Sequence, residues 1–438
     1  MAATRPGPCL RVIVAATLVP LATACSASDD SKAVAIGLTE APVAVPAQWV
    51  TTASEHVVPG EKLSPPVATR LLAYTAVALH EAASTSSATA GEPLGGRLTG
   101  LPGTTLQGDR AVDPGAAAAT AARDVVLGLL GAEASEQTRS HVEALHAEQL
   151  RQRAAGPVTA EVLTSSEEHG ARVARTILDW AGSDGFADRG RPYEVSTGPG
   201  VWELAPPETS PVEPYWGTLR PFAVEATSQV PAPPPPAYSA DPSSELARQA
   251  RQVHEASLSL SDEQRDTARF WEGAPAVRWM TVAADLVQQA PDLELTAATE
   301  VLALTGIALA DGTIVAWADK YEHLVVRPVT YIQLHIDPTW APLLPTPGHP
   351  EFPAGHSASS TAAATVLEGL LAPETVTVRD VTGQQPTREF GSLAEVAAEV
   401  AMSRVYAGAH YPLGLEAGAD LGRRVGKRVL DLARSGAG

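Results

Sequence analysis

The stretch ALADGTIVAWADKYEHLVVRPVTYIQLHIDPTWAPLLPTPGHPEFPAGHS, residues 308–357, decides the fold of this chain. Its first part is apolar and alanine-rich, and it carries Lys320 seven residues before Arg327, which Pro328 follows directly. Seven residues make two helical turns, so both cations are predicted on one face of a helix that Pro328 ends. The stretch closes with Pro353-Ala354-Gly355-His356, which places a glycine and a histidine at the start of another apolar helix.

A further cluster lies beyond this stretch, where Ser403-Arg404 precedes His410 by five intervening residues. Ser392 and Glu395 form a predicted capping box that opens the helix carrying Arg404. Gly408 ends that helix, so His410 is expected in an irregular turn. The guanidinium of Arg404 offers a planar fork to two oxygens of a tetrahedral anion.

The three clusters together predict a single oxyanion pocket. A helix that starts at Gly355 points free backbone N–H groups at an anion, and His356 can exchange a proton near neutral pH. Each residue also has an ordinary interpretation when it is taken singly. Lys320 could be a surface cation paired with Asp319 or Glu322, and His356 could be a packed or capping histidine. Three cations and two imidazoles in a chain of formal charge −19 favour the pocket.

The composition is that of a large globular protein with an acidic surface. Of the 438 residues, 45% are hydrophobic and 18% are charged, which supports a sizeable core. A net charge of −19 argues against a nucleic-acid partner, because phosphate backbones bind to basic faces. An anionic substrate would therefore need a local cationic pocket.

The amino terminus has the three parts of an export signal: Arg5 and Arg11, an apolar run over 12–21, and small residues before Cys25. Residues 1–25 are therefore predicted to be a signal peptide, and 26–45 a flexible tether. Cys25 also resembles a lipoprotein cleavage site, so secretion and lipid anchoring on the outer face of a bacterial membrane both stay open. The second cysteine, Cys9, lies in the same signal, so no internal disulfide is expected.

Helical periodicity dominates the rest of the chain, and strand-like alternation is scarce. A helix is predicted after Ser64-Pro65, in an N-terminal helical half over 46–184. Residues 185–242 are rich in proline and glycine and are predicted to wrap or link two helical halves. The C-terminal bundle, 243–438, carries the oxyanion site. Its helices are predicted near 243–258, 262–272, 276–289, 294–326, 356–371, 392–407 and 414–434.

These motifs resemble the vanadium haloperoxidase and type 2 phosphatidic acid phosphatase superfamily, in its exported bacterial haloperoxidase-like branch. The stretch 308–357 looks like the core of such proteins, and so does SPPVATRLLAYTAVALHEAA at 64–83. The resemblance runs over about 60–434 and is best after 300. It implies an all-α fold of helical bundles with long proline-rich loops.

The resemblance also implies roles for individual residues. Lys320, Arg327 and Arg404 would neutralise the oxyanion, and Gly355 would donate its backbone N–H. His410 would be the ligand of vanadate, or the nucleophile of a phosphatase, and His356 would be the acid/base group. Phosphate can occupy the same site as vanadate, because vanadate mimics the five-coordinate state of phosphoryl transfer.

Two positions depart from the family pattern. Ala354 stands where a serine hydroxyl is usual, and Gly414 stands where an aspartate usually follows the last histidine by four residues. That aspartate would orient the ring. Glu416 and Asp420 are the candidates to replace it.

Three functions are weighed. A haloperoxidase would use hydrogen peroxide and a halide, with Trp317 and His349 as a halide niche by family position. An acid phosphatase would hydrolyse phosphomonoesters through His410. An inactive exported oxyanion-binding or scaffold lipoprotein is favoured by Ala354 and Gly414. The membrane is expected as a partner only through Cys25, and the sequence leaves open the halide, the organic substrate and the oligomeric state.

Overall fold

The computed structural model describes residues 44–87, 91–104, 110–290 and 292–435. The predicted signal, 1–25, lies outside these ranges, as does the predicted tether up to residue 43. The last two residues of the predicted tether already belong to the first helix, which begins at Ala44.

The described chain is mainly helical, which confirms the predicted all-α class. The helices are α1 Ala44–Thr52, α2 Val58–Gly60, α3 Pro65–Ser84, α4 Pro114–Leu130, α5 Glu136–Ala154, α6 Ala160–Gly182, α7 Glu245–Leu258, α8 Asp262–Phe270, α9 Pro275–Gln289, α10 Leu295–His323, α11 Pro328–His335, α12 Gly355–Leu370, α13 Leu393–Tyr406 and α14 Pro412–Ser435. A π-helical turn, Ala53–Val57, joins α1 to α2. Short 3₁₀ turns occupy Gly131–Glu133, Phe186–Gly190, Trp216–Thr218 and Thr227–Gln229.

A two-stranded antiparallel hairpin stands apart from the helices. Its strands are β1 Val376–Val378 and β2 Arg388–Phe390, with Val376 opposite Phe390. Neither this hairpin nor α1 and α11 was predicted from the sequence. All of these elements except α1 are eight residues or shorter, too short for a periodic pattern to be read.

Helix α10 is the centre of the molecule, and it packs against α3, α12 and α14. Two helices, Pro114–Glu133 and Leu295–His323, are long and apolar enough to span a membrane by length and composition. In the second, 94% of the most apolar window is buried inside the protein, as in the core helix of a globular bundle.

Small residues let α14 lie directly on α12, the helix that begins at Gly355. Gly418, Gly422 and Gly426 recur every four residues along one face of α14. A Cβ atom at Gly426 would lie 2.9 Å from the carbonyl oxygen of Ala362, and at the other two glycines it would lie even closer to carbonyl oxygens of α12 or the residue before it. The two backbones are therefore in contact, which fixes the position of the α12 N-terminus.

The proline-rich segment wraps over α10. The carboxylate of Asp311 accepts hydrogen bonds from the backbone N–H groups of 222–224, at 2.6, 2.8 and 3.0 Å. Asp319 accepts one from Ala232 at 2.7 Å. The described residues of both helical halves and of this segment belong to one compact unit, in which α3 packs against α10.

The predicted helix end at Arg327 is wrong. Helix α10 ends at His323 because Leu324 takes a left-handed conformation, with φ of 49°. Val325 then forms an isolated antiparallel bridge with Val201 of the wrapping segment. Arg327 is the N-cap of α11, so Pro328 begins a helix where it was expected to end one.

Candidate active site

The predicted site residues come together at one end of the bundle. Lys320 comes from the last turn of α10, Arg327 from the start of α11, and Arg404 from the last turn of α13. Arg404 lines a cavity of about 270 Å³ at the N-terminus of α12, whereas Lys320 and Arg327 are buried outside its lining, as is His410. The predicted residues that line this cavity are Trp317, His349, Gly355, His356 and Arg404.

Lys320 is fully buried, which excludes the surface-cation interpretation. Its Nζ donates to the carbonyl oxygens of Pro350 and Glu351, at 2.9 and 3.0 Å. An ammonium group has three N–H donors, so one is left for another acceptor. Burial and the positive charge of Arg327 hold the pKa of Lys320 well below its ordinary value.

Arg327 is also fully buried and connects the parts of the site. Its Nε donates to the carbonyl oxygen of His349 at 2.9 Å, and its Nη2 lies 3.0 Å from Nδ1 of the same residue. Its Nη1 donates to the carbonyl oxygen of Ala409 at 2.6 Å and lies 3.1 Å from Nε2 of His410. Burial lowers the pKa of Arg327 to about 10.

Arg404 differs from the other two cations because most of its guanidinium has no partner. The residue is 3% exposed, and neither Nε nor Nη1 finds a hydrogen-bond acceptor among the described residues. Together these two nitrogens carry three N–H donors. Burial lowers the pKa of Arg404 to about 10, which Glu272 at the cavity wall partly offsets.

His356 lies in the first turn of α12, where backbone N–H groups have no partner within the helix. Its Nε2 is 3.2 Å from the carbonyl oxygen of Trp271. A carbonyl only accepts, so Nε2 carries the proton and Nδ1 keeps its lone pair. Burial holds the pKa of His356 well below its ordinary value, with a further lowering from Arg404. At neutral pH it is a neutral base.

The glycine of the motif is required by close packing. A Cβ atom at Gly355 would lie 2.9 Å from the Trp317 ring and 3.7 Å from Cε of Lys320. The α12 N-terminus can therefore approach Lys320 only because residue 355 has no side chain.

Trp317 and His349 form one wall of the cavity. Their rings lie 4.8 Å apart at an angle of 44°, and Nζ of Lys320 lies 5.7 Å from the Trp317 ring centre. Trp317 Nε1 donates to the carbonyl oxygen of Val212 in the wrapping segment. The ring is therefore fixed, and it gives the cavity an aromatic surface beside the cations.

His410 lies in the turn between α13 and α14, as predicted, after Gly408 at a φ of 77°. Its Nδ1 is 2.9 Å from Oε1 of Glu351. Burial is the main reason why the pKa of His410 lies well below its ordinary value, and Arg327 lowers it further. Burial also raises the pKa of Glu351, to about 7.

The prediction that Glu416 or Asp420 replaces the missing aspartate is wrong. Glu416 is exposed, and Asp420 pairs with Arg424 at 3.1 Å. The carboxylate beside His410 belongs to Glu351, which precedes the motif glycine by four residues. Sequence reasoning missed it by searching only on the C-terminal side of His410.

Two local expectations are refined by the structure. The side chain of Ala354 packs with Val405 and Leu415 in a small apolar cluster. Only half of the expected capping box forms: Ser392 accepts from the N–H of Glu395, whose carboxylate turns to the N–H of Gly391.

Comparison with known proteins gives a consistent result. Residues 333–437 match the family model of the VCPO second helical-bundle domain. The fold matches the crystal structure of the first bacterial vanadium-dependent iodoperoxidase with a TM-score of 0.80 and 27% identity, over 88% of this chain and 95% of that one. These two matches support the vanadium haloperoxidase and type 2 phosphatidic acid phosphatase superfamily.

Two more distant structures share the haloperoxidase fold. The apo and holo forms of a bacterial vanadium-dependent chloroperoxidase match with TM-scores of 0.66 and 0.65, at 16% and 17% identity. Each match covers 85% of this chain, and 95% and 93% of the respective chloroperoxidase chains. No curated protein sequence matches this chain.

Proposed function

We propose that this protein is an exported vanadium-dependent haloperoxidase-like enzyme that oxidises a halide with hydrogen peroxide. The observation that carries the proposal is the buried guanidinium of Arg404, a residue of the cavity wall whose Nε and Nη1 have no acceptor among the described residues. Buried cationic N–H donors without acceptors are costly, and a bound oxyanion would remove that cost.

The residues present fit vanadate. Among the described residues, no three His, Cys, Asp or Glu side chains cluster as ligands for a metal cation. A tetrahedral oxyanion needs instead cationic donors, backbone N–H groups and one imidazole. Arg404, Lys320 and Arg327 would neutralise it, the α12 N-terminus at Gly355 would donate N–H groups, and Nε2 of His410 would be its ligand.

Bound vanadate supplies a Lewis-acidic centre that makes hydrogen peroxide electrophilic toward a halide. Oxidation of a halide to hypohalous acid releases water and consumes one proton. The lone pair on Nδ1 of His356 would accept a proton from peroxide and return it, and the hydrogen bond to the Trp271 carbonyl would hold the ring during this exchange. The aromatic wall of Trp317 and His349 would hold the halide beside the cations.

The similarity to an iodoperoxidase supports iodide as the first halide to test. The mature chain, loaded with vanadate, is expected to oxidise iodide and bromide in the presence of hydrogen peroxide. His410→Ala is expected to abolish this activity and to leave the fold intact. If the loaded protein oxidises neither halide, the haloperoxidase proposal fails.

Phosphatase activity is the second candidate, since the neutral imidazole of His410 points Nε2 toward Arg327, as a nucleophile next to a phosphate would require. This alternative predicts hydrolysis of a generic phosphomonoester without vanadate, and inhibition by vanadate. An inactive oxyanion-binding lipoprotein predicts neither activity. Running both assays on one preparation separates the three.

Export is a separate proposal, and it rests on the sequence of residues 1–25. Mass spectrometry of the protein from its native cell envelope is expected to show either a chain that starts at an acylated Cys25 or one cleaved nearby without a lipid. An intact residue 1 in the mature protein would contradict export.

A further inference from the structure

The carboxylate of Glu351 joins two neighbouring residues of the turn after α13. Its Oε1 accepts from Nδ1 of His410 at 2.9 Å and from the backbone N–H of Tyr411 at 3.0 Å. Glu351 itself is held at both ends of its peptide unit: its N–H donates to Val325 at 3.1 Å, and its carbonyl oxygen accepts from Lys320 at 3.0 Å. Glu351 is fully buried, so this arrangement is fixed by the core.

The partners of His410 determine which of its ring nitrogens carries the proton. Nη1 of Arg327 lies 3.1 Å from Nε2, and a guanidinium can only donate. Nε2 must therefore present its lone pair, and Nδ1 must carry the proton that it donates to Glu351. The imidazole is held from both sides in the one tautomer that leaves Nε2 able to bind an electrophilic atom.

Gly414 explains why the carboxylate comes from Glu351. A Cβ atom at Gly414 would lie 3.0 Å from both the carboxyl carbon and Oε2 of Glu351, and closer still to Oε1. The backbone of Gly414 cannot move away freely, because its carbonyl oxygen accepts from the N–H of Ala354 at 2.9 Å. The space that a side chain at position 414 would enter is therefore filled by the Glu351 carboxylate.

We infer that Glu351 is the positioning residue of His410 and that it replaces the aspartate expected at position 414. Glu351 precedes the Pro353–His356 motif in the sequence, whereas position 414 follows it, and Glu351 accepts from Nδ1 of His410. The carboxylate that orients His410 therefore comes from position 351 of the sequence instead of position 414. The inference that this arrangement helps His410 to bind an oxyanion rests on the proposed function, whereas the tautomer of His410 does not.

The test is a carboxylate swap in the full chain, with Glu351→Ala, Gly414→Asp and the double variant compared with the parent protein. Nitrogen-15 NMR of labelled histidine is expected to show an Nδ1-protonated His410 in the parent, a mixture of tautomers in Glu351→Ala, and recovery in the double variant. Gly414→Asp alone is expected to lose stability, since two carboxylates would compete for one space.

Calorimetry with inorganic phosphate gives a second measurement. Loss of a carboxylate that orients a metal-ligating histidine commonly lowers metal affinity by about 10–100-fold, and we expect Glu351→Ala to lose phosphate affinity by an amount within that range. The double variant should recover most of it, which a merely structural role for Glu351 would not produce. If Glu351→Ala does not fold, Glu351→Gln serves instead. Its amide oxygen can still accept from Nδ1, so the tautomer should persist while phosphate affinity falls.

Two results would overturn the inference: a parent His410 protonated on Nε2, or Glu351 variants with unchanged tautomer and unchanged affinity. If the parent protein binds neither phosphate nor vanadate, the proposed function is overturned. The role of Glu351 is still supported in that case if Glu351→Ala changes the tautomer of His410 and the double variant restores it.

Discussion

Two buried arginines, Arg70 in α3 and Arg404 in α13, have similar exposure and opposite surroundings. Arg70 donates from Nε to Asp184 at 2.7 Å and from Nη2 to the carbonyl oxygen of Ala181 at 3.0 Å, and its guanidinium stacks on Phe186. Arg404 leaves Nε and Nη1 without acceptors among the described residues. Burial therefore does not distinguish the two arginines, whereas the completeness of their pairing separates Arg404, the proposed anion ligand, from Arg70.

The largest expected effect is on stability, from Arg70→Gln. Removing one partner of a buried ion pair leaves the other charge uncompensated, so the free energy of unfolding should fall by about 3–5 kcal/mol. Denaturant unfolding, monitored by circular dichroism, measures this change. Phosphate affinity, where the variant is folded, should stay within about twofold, because Arg70 lies outside the cavity wall. A loss of stability below about 1 kcal/mol would remove the structural half of the comparison.

Arg404→Gln is the matched control, and it is expected to change phosphate affinity but not stability. Hydrogen bonds from a charged donor contribute about 1.5–3 kcal/mol, so phosphate affinity should fall by about 10–150-fold. The stability of the empty protein should not fall, because the native side chain satisfies few of its donors. Calorimetric titration measures the affinity. Arg404→Lys keeps the positive charge but not the planar guanidinium, so its phosphate affinity should lie between those of Arg404→Gln and the parent protein. Equal phosphate affinity in Arg404→Gln and the parent would contradict a receptor role.

Phosphate itself should distinguish the two regions through linkage. At a free concentration ten times its dissociation constant, it should stabilise the folded parent by about 1.4 kcal/mol. The same concentration should stabilise Arg70→Gln by a similar amount and Arg404→Gln by much less. Unfolding curves with and without phosphate give the three values, and an equal shift in all three proteins would place the bound anion elsewhere.

Anion affinity should fall as the pH rises, through the charge on Lys320. Burial lowers the pKa of Lys320, so the empty site loses this charge at a lower pH than an exposed lysine does. An anion favours the protonated form, and affinity is therefore greatest below that lowered pKa and falls above it, by at most about tenfold per pH unit for one proton. Sulfate is the probe, since its own charge is constant over this range. A flat profile for the parent, or the same slope in Lys320→Met, would contradict this assignment.

The smallest expected effect comes from Ala354→Ser. A hydroxyl that reaches the anion should raise phosphate affinity by up to about fivefold, equivalent to about 1 kcal/mol. Stability should fall slightly, because the methyl group of Ala354 packs on Val405 and Leu415. Ala354→Gly, which adds no donor, is the control. A loss of affinity in Ala354→Ser would mean that position 354 faces only its apolar neighbours.

The sequence was sufficient for the parts of the site that depend on short-range order. Helix starts at Pro65 and Gly355 follow from proline and glycine chemistry. The end of α10 at His323, four residues before Arg327, could not be predicted. It depends on pairing between Val325 and Val201, which are far apart in sequence. Glu351 was missed for the same reason, since its partner His410 lies 59 residues away.

Hydrogen bonds between α10 and the proline-rich segment fix one wall of the cavity. One carbonyl, that of Val212, receives both Trp317 Nε1 and the hydroxyl of Tyr321, so the outer wall of the cavity is tied to the helix that carries Lys320. The wall can therefore accept exchanges at Glu208 and at the prolines of 345–347 while its anchorage to α10 persists. Variation there would change the shape of the cavity and leave the three buried cations, Lys320, Arg327 and Arg404, in place.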